Sequence, residues 1–110
     1  MKKDPIVYIQ DMLDAMNRIH QYTHNISFEQ YESDLQLQDA IIHRLQIIGE
    51  AASRIPEETR NNYPNIPWRK IIGLRNVIVH DYMMVNTKEI WTIATVDLSQ
   101  TKKEFETLLK

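Results

Sequence analysis

The chain has 110 residues, 43% of them hydrophobic, with 13 Lys and Arg, 15 Asp and Glu, a formal net charge of −2 and no cysteine. This size and composition predict a single soluble domain spanning residues 1–110, and they exclude a disordered tail. The lack of cysteine excludes disulfides and thiolate sites and favours the cytoplasm, while the acidic balance excludes a surface that is basic throughout, so that any nucleic acid must be bound locally.

The first half of the chain predicts three helices. Asp4 and Pro5 have the pattern of an N-cap and a first-turn proline, and the helix they begin should continue to about Thr23. Its predicted core face carries Ile6, Ile9, Leu13, Met16 and Ile19. "SFEQ", residues 27–30, has capping-box spacing and predicts a short helix, and a long helix should follow from about residue 34 to residue 54. The apolar stripe of that long helix is wide, so we expect it to contact neighbours on two sides.

The second half predicts a short helix and a loop after Pro56, a helix that begins at "PW", residues 67–68, and a last helix. The last helix should begin at "NTKE", residues 86–89, and continue to about Leu109. No segment has the length of a signal peptide or a membrane span, so we expect no membrane association. The predicted fold is all-α, a compact bundle of about four to five helices.

The segment "RNVIVHDY", residues 75–82, carries polar groups in an otherwise apolar helix. In a regular helix, Arg75 and His80 lie about 140° apart around the axis, whereas Arg75 and Tyr82 nearly eclipse at about 10 Å. Arg75 and His80 therefore converge poorly within one helix. Either the helix unwinds near Val79, or a second copy of the chain supplies the other half of a site across a two-fold interface.

These residue types suit the transfer of an RNA phosphodiester. Arginine binds phosphate oxygens and stabilises charge developing on phosphorus, and histidine moves protons near neutral pH. The ribose 2′-hydroxyl supplies the nucleophile, so no metal is required. A structural explanation is also open: Arg75 would pair with Glu50 or another carboxylate, His80 would interact with the helix dipole, and Tyr82 would belong to the core.

Several other residues can be explained either by function or by structure. His20 and His24 have the spacing of metal ligands, but no third ligand is placed beside them in the sequence, so a solvated surface is favoured and we expect no metal. Trp68 and Trp91 are better explained as core residues than as platforms for RNA bases. Two basic pairs, Arg69 with Lys70 and Lys102 with Lys103, are candidates for a local basic rim, although such charges usually mark a solvated face.

Gly49 and Glu50 lie in the middle of the long helix, where glycine costs about 1 kcal/mol relative to alanine. Close contact with another helix is the favoured explanation for Gly49. The alternative explanation is functional: the next residue, Glu50, would orient Arg75.

The same segment resembles the signature of HepT-like toxins, a branch of the HEPN superfamily: arginine, four residues, histidine, one residue, tyrosine. The resemblance extends over essentially the whole chain, through "QDAIIHRLQIIGEAASRIP", "YPNIPWRKIIGLRNVIVHDY" and "EIWTIATVDL" in the same order. Asn76 matches the polar residue that often follows the arginine in HEPN ribonucleases.

The resemblance implies a HEPN-like two-fold homodimer that cleaves RNA without metal at a composite cleft, with Arg75 and His80 as catalytic residues and Asn76 and Glu50 in support. It also implies a partner, a minimal nucleotidyltransferase antitoxin that silences the toxin by transferring AMP from ATP onto Tyr82. The chain itself would need no cofactor. The alternative is a non-catalytic helical subunit that binds the nucleotidyltransferase and presents nucleotide or substrate to it.

Overall fold

The computed structural model describes residues 4–84 and 86–108, apart from the side chains of residue 77 and residues 79–84. In this part of the chain every regular element is helical, which confirms the predicted all-α class. The elements are α1 (Pro5–Thr23), α2 (Phe28–Glu32), α3 (Leu35–Arg54), α4 (Glu57–Asn61), α5 (Trp68–Met84), α6 (Thr87–Thr92), a π-helical turn (Ile93–Asp97) and α7 (Leu98–Leu108). None of the described helices is both long and apolar enough to cross a membrane.

The helices begin where local hydrogen bonds cap their first turns. The Asp4 carboxylate accepts from the first turn of α1 at 2.9 Å. At α2 the capping box is complete, because Gln30 N–H donates to Ser27 Oγ at 3.1 Å and Ser27 N–H donates to Gln30 Oε1 at 2.8 Å. At α6 the Asn86 side chain is the cap, because its Oδ1 accepts from the Glu89 N–H at 3.2 Å. These contacts confirm the predicted starts, since each satisfies a backbone N–H that has no partner within its helix.

The core is built around α3, which packs against both α1 and α5. The two-sided contact expected from its wide apolar stripe is therefore confirmed. The buried face of α1 differs from the predicted one, because Met12 and Ala15 are buried whereas Ile6 is 37% exposed. The buried residues of α1 and α3 are Ile9, Met12, Ala15, Met16, Ile19, Ile41, Leu45, Ile48, Gly49, Ala51 and Ala52.

The last helical segment contains a π turn that the sequence did not predict. The backbone N–H of Leu98 donates to the carbonyl of Ile93, five residues earlier. Leu98 follows Ile90 by eight residues, so a regular α-helix would rotate it about 80° away, whereas one additional residue reduces this rotation to about 20°. Both residues are buried. The π turn thus keeps the apolar residues of α6 and α7 on one face.

Both tryptophans pack as predicted. Trp68 is buried, its indole N–H donates to the carbonyl of Tyr63 at 3.0 Å, and its ring meets Phe105 edge to face. Trp91 is partly buried and packs against the core, where its ring centroid lies 4.7 Å from that of Tyr31. The Trp68 ring is therefore closed to a ligand, whereas the Trp91 ring keeps part of its surface accessible.

Candidate active site

Gly49 allows α3 and α5 to approach closely at the predicted site. A Cβ atom added to Gly49 would lie 2.9 Å from Arg75 Cγ and 3.4 Å from both the Arg75 backbone nitrogen and the Ile71 carbonyl oxygen. Real Cβ atoms essentially never show a contact as short as the first of these. Close helix contact, the favoured explanation for this glycine, is therefore confirmed.

Three charged side chains meet beside this contact and are called here the Glu50 cluster: Glu50, Arg54 and Arg75. Arg75 Nη1 donates to Glu50 Oε2 at 2.5 Å, and Arg54 Nε donates to Glu50 Oε1 at 3.1 Å. Each carboxylate oxygen thus holds one guanidinium. The side chain of Arg75 remains 48% exposed, so its other N–H groups face solvent on that side of the molecule.

The electrostatics of the Glu50 cluster favour an ionised carboxylate. The hydrogen bond from Arg75 is the main cause that holds the pKa of Glu50 below its ordinary value, and the charges of Arg75 and Arg54 act in the same direction. Exposed ion pairs contribute little to folding, because water screens them. With two guanidinium groups and one carboxylate, the cluster keeps a net positive charge, which suits an anionic ligand.

The other predicted catalytic residues lie on the same helix, α5. Asn76 is exposed immediately after Arg75. His80 and Tyr82 lie within the helical span, but their side chains are outside the described part of the structure. Of the two alternatives left open by the sequence, unwinding near Val79 is not observed, because α5 is continuous from Trp68 to Met84.

Helical geometry therefore still separates Arg75 from His80 by about 140° around the α5 axis. The other way to bring these residues together is a second copy of the chain that supplies half of the site. This dimer stays a prediction. The supporting roles of Asn76 and Glu50 stay predictions, and the structure shows the contact between Glu50 and Arg75.

A groove between α1 and α3 adjoins the Glu50 cluster. Its volume is about 560 Å³, and its walls include both Glu50 and Arg54. Arg44 also lines it, with a buried Nε that makes no hydrogen bond to any described residue. Neither Arg54 nor Arg44 was predicted from the sequence to belong to the site. The four-residue spacing from Glu50 to Arg54 was a usable signal, whereas nothing local marked Arg44.

The two histidines considered as metal ligands lie near the C-terminal end of α1. The ring centroids of His20 and His24 are 5.6 Å apart. Within residues 4–84 and 86–108, no group of three or more His, Cys, Asp or Glu side chains has the arrangement of a metal site. The structure thus adds no third ligand to this pair.

Comparison with known proteins identifies the relatives of this chain. The family model for HepT-like ribonucleases matches residues 12–108. A protein of Thermococcus cleftensis named probable ribonuclease HepT is 34% identical over 110 residues, which covers all of both chains. A candidate RNase of Methanocaldococcus jannaschii is 32% identical over 109 residues, covering 99% of this chain and 90% of that protein.

A candidate RNase of Caldanaerobacter subterraneus subsp. tengcongensis is 31% identical over 108 residues, covering 98% of this chain and 96% of that protein. No solved structure matches the chain significantly. The family model and the full-length relatives indicate the same family as the signature that includes Arg75. The chain belongs to the HepT-like ribonuclease family.

Proposed function

We propose that this chain is the toxin of a toxin–antitoxin pair, a metal-independent endoribonuclease that acts as a two-fold homodimer. The observation that carries the proposal is the guanidinium of Arg75, on α5, which is exposed and is held by a hydrogen bond to Glu50 of α3. The family to which the chain belongs consists of ribonucleases. A preorganised arginine binds a phosphodiester and stabilises charge as it develops, without having to be ordered during the reaction.

In this mechanism His80 moves the protons. It removes the proton of the ribose 2′-hydroxyl, whose oxygen attacks the neighbouring phosphorus, and the bond from phosphorus to the 5′-oxygen breaks. The leaving oxygen takes up a proton, and the products are a 2′,3′-cyclic phosphate and a 5′-hydroxyl. Asn76 adds a polar contact beside Arg75. No metal ion takes part in these steps, and the chain requires no cofactor.

The dimer completes the cleft. Positions 75 and 80 lie about 140° apart around the axis of a continuous α5, so a single copy of this helix presents them on different faces. A two-fold axis beside α5 brings this helix from both protomers together, so that the arginine of one protomer and the histidine of its partner share the substrate.

Control of the toxin acts at Tyr82. A minimal nucleotidyltransferase antitoxin transfers AMP from ATP onto the Tyr82 hydroxyl, with release of pyrophosphate. Tyr82 follows Arg75 by two helical turns and lies on nearly the same side of α5. The added phosphate places negative charge near the arginine, where it occupies the phosphate site and repels RNA.

The test uses the purified chain with two RNA oligonucleotides that differ in a single 2′-hydroxyl at the scissile nucleotide. We expect cleavage of the all-ribose strand in EDTA, a 2′,3′-cyclic phosphate product, and no cleavage of the 2′-deoxy strand. Cleavage of the deoxy strand, or strict dependence on an added divalent cation, would contradict the mechanism. A pure dimer that cleaves no RNA would favour the non-catalytic subunit that presents substrate to the nucleotidyltransferase.

The regulatory step has a separate test. The chain is incubated with the nucleotidyltransferase and ATP, and its intact mass is measured for the wild type and for Tyr82→Phe. We expect the mass of one or more AMP groups on the wild type and none on the variant. A full-yield adduct on Tyr82→Phe would show that another residue is modified.

A further inference from the structure

A second concave site lies away from the Glu50 cluster and is called here the π-turn cavity. It is bounded by the C-terminal half of α1, the turn that follows it, the π turn and α7, and its volume is about 370 Å³. This volume is within the roughly 300–1,000 Å³ typical of sites for small molecules. The π-turn cavity shares no residue with the Glu50 cluster.

All charged or titratable side chains that line the π-turn cavity are basic: His20, His24 and Lys102. The groove beside the Glu50 cluster differs, because its walls mix basic side chains with Asp11, Asp14 and Glu50. Lys102 supplies a positive charge that no carboxylate in the lining neutralises, and the two imidazoles can donate hydrogen bonds beside it. Such a site suits an anion.

One wall of the π-turn cavity is aromatic and apolar. Trp91 lines it together with Met16, Ile26 and Leu98. The same indole is held by Tyr31, at 4.7 Å between ring centroids, and by Phe28, at 6.3 Å. A ring fixed by its neighbours loses little conformational entropy when it contacts a ligand, so this wall suits a planar ring such as a nucleobase.

The hydroxyl groups of the cavity are available as acceptors. Thr95 Oγ1 donates to the Trp91 carbonyl at 2.8 Å, Ser99 Oγ donates to the Thr95 carbonyl at 3.0 Å, and Thr23 Oγ1 donates to an α1 carbonyl at 2.9 Å. Their protons are thus directed to the helix backbone, which leaves oxygen lone pairs to accept from a ligand that carries hydroxyls. A ribose has such hydroxyls.

The backbone around the π-turn cavity is irregular on two sides. Ala94 and Thr95 of the π turn line one side, and π turns within helices are frequently found at functional sites. Asn25, on the opposite side, has a φ of 60° in the left-handed region, which few residues other than glycine adopt readily. Both irregular segments thus border the same cavity.

From these contacts we propose that the π-turn cavity binds a nucleoside phosphate, with its phosphate at His20, His24 and Lys102 and its base against Trp91. Other anions with an aromatic ring would fit the same contacts. We choose a nucleotide because the proposed function of the chain is to cleave RNA. The ligand is either a free nucleotide or one nucleotide of the substrate RNA held outside the catalytic cleft.

The experiment measures binding of 5′-AMP, adenosine and inorganic phosphate by isothermal titration calorimetry. It uses the full chain with Arg75→Ala, so that binding at the Glu50 cluster does not contribute. We expect AMP to bind more tightly than either fragment, and Lys102→Ala to weaken AMP binding about tenfold. The matched control is Lys103→Ala, which removes the same charge from the next, exposed residue outside the lining and should change the affinity less than twofold.

The substitution His20→Ala with His24→Ala provides a second test of the same site. It should also weaken AMP binding, and circular dichroism should show unchanged helical content because both side chains are exposed. The proposal is overturned if AMP produces no heat at millimolar concentration, if AMP and adenosine bind equally, or if Lys102→Ala and Lys103→Ala have equal effects.

A competing oligoribonucleotide distinguishes the two sources of the ligand. Displacement of AMP assigns the π-turn cavity to the substrate RNA, and retention of AMP assigns it to a free nucleotide. Either result supports the site if AMP binding depends on Lys102. The proposed catalytic function is tested separately with the chain that retains Arg75. If that chain cleaves no RNA while AMP binding depends on Lys102, the function alone is contradicted; if it cleaves RNA and AMP does not bind, the cavity alone is contradicted.

Discussion

Two polar contacts connect distant parts of this chain, and they lie in opposite environments. Arg75 donates to Glu50 across 25 residues of sequence, and the two side chains are 48% and 46% exposed. The Tyr31 hydroxyl donates to the Thr87 carbonyl at 3.0 Å across 56 residues, and Tyr31 is fully buried. The first contact lies at the surface between α3 and α5, and the second ties α2 to the start of α6.

The two environments have opposite effects on protonation. Arg75 holds the pKa of Glu50 below its ordinary value, so the carboxylate remains charged, while burial raises the pKa of Tyr31 to about 12, so the phenol remains neutral. A charged network in water adds little to folding but keeps a guanidinium oriented, whereas a neutral buried hydrogen bond adds stability. The surface contact is therefore suited to chemistry and the buried contact to the fold.

The largest expected effect is the loss of RNA cleavage on substitution of the proposed catalytic residues. His80→Ala removes the proposed general acid–base and should lower the cleavage rate about 10²–10⁴-fold, and Arg75→Ala should lower it about 10²–10³-fold. Both variants should keep the helical content and the oligomeric state of the wild type, as measured by circular dichroism and sedimentation. Full toxicity of both variants in growing cells would reject the catalytic assignment.

Gly49→Ala tests whether close packing orients Arg75. The new methyl group would meet Arg75 Cγ at 2.9 Å, so we expect Arg75 to shift and the rate of RNA cleavage to fall about tenfold. Overpacking costs about 1–3 kcal/mol of the free energy of unfolding, and the helix propensity of alanine offsets about 1 kcal/mol of it.

The matched control is Gly73→Ala, because a Cβ atom at Gly73 has no atom within 4 Å of it. This variant should keep its cleavage rate and gain up to about 1 kcal/mol in the free energy of unfolding. Equal loss of cleavage in both variants would mean that the contact at Gly49 does not position Arg75. Urea denaturation and cleavage assays measure the two properties.

Tyr31→Phe tests the buried contact. Loss of the hydrogen bond to Thr87 should lower the free energy of unfolding by about 0.5–1.5 kcal/mol, and the cleavage rate should be unchanged. Because the pKa of Tyr31 rises from 10.0 to about 12 in the fold, the unfolded chain loses its proton first. The wild type should therefore lose stability as the pH rises from 10 towards 12, and Tyr31→Phe should lack this contribution. Equal alkaline loss in both proteins would contradict the assignment.

The smallest effect is on the pKa of Glu50. Arg75→Ala removes the main hydrogen bond that lowers this pKa, so the pKa should rise towards its ordinary value of 4.5. In the wild type the contribution of this ionised group to stability is present above its ordinary pKa and is lost as the pH falls through the lowered value. Carbon-13 NMR titration of the carboxyl group measures the change. An unchanged pKa would mean that Arg54, not Arg75, is the main partner of Glu50.

Local features in the sequence determined most of the helices. The capping residues Asp4, Ser27 and Asn86 predicted the starts of α1, α2 and α6, because a cap depends on side chains and N–H groups only two or three residues apart. The signature around Arg75 indicated the family, and the comparisons confirmed it. The catalytic assignments of Arg75 and His80 stay predictions.

The tertiary structure decided what depends on contacts between distant segments. It selected Glu50 as the partner of Arg75, buried Met12 in place of Ile6, and placed a π turn in the last helical segment. Local periodicity does not determine these features, because each reflects how a helix fits the surface of another one. The sequence by itself therefore determined that these residues form helices, and their packing decided which side chains meet.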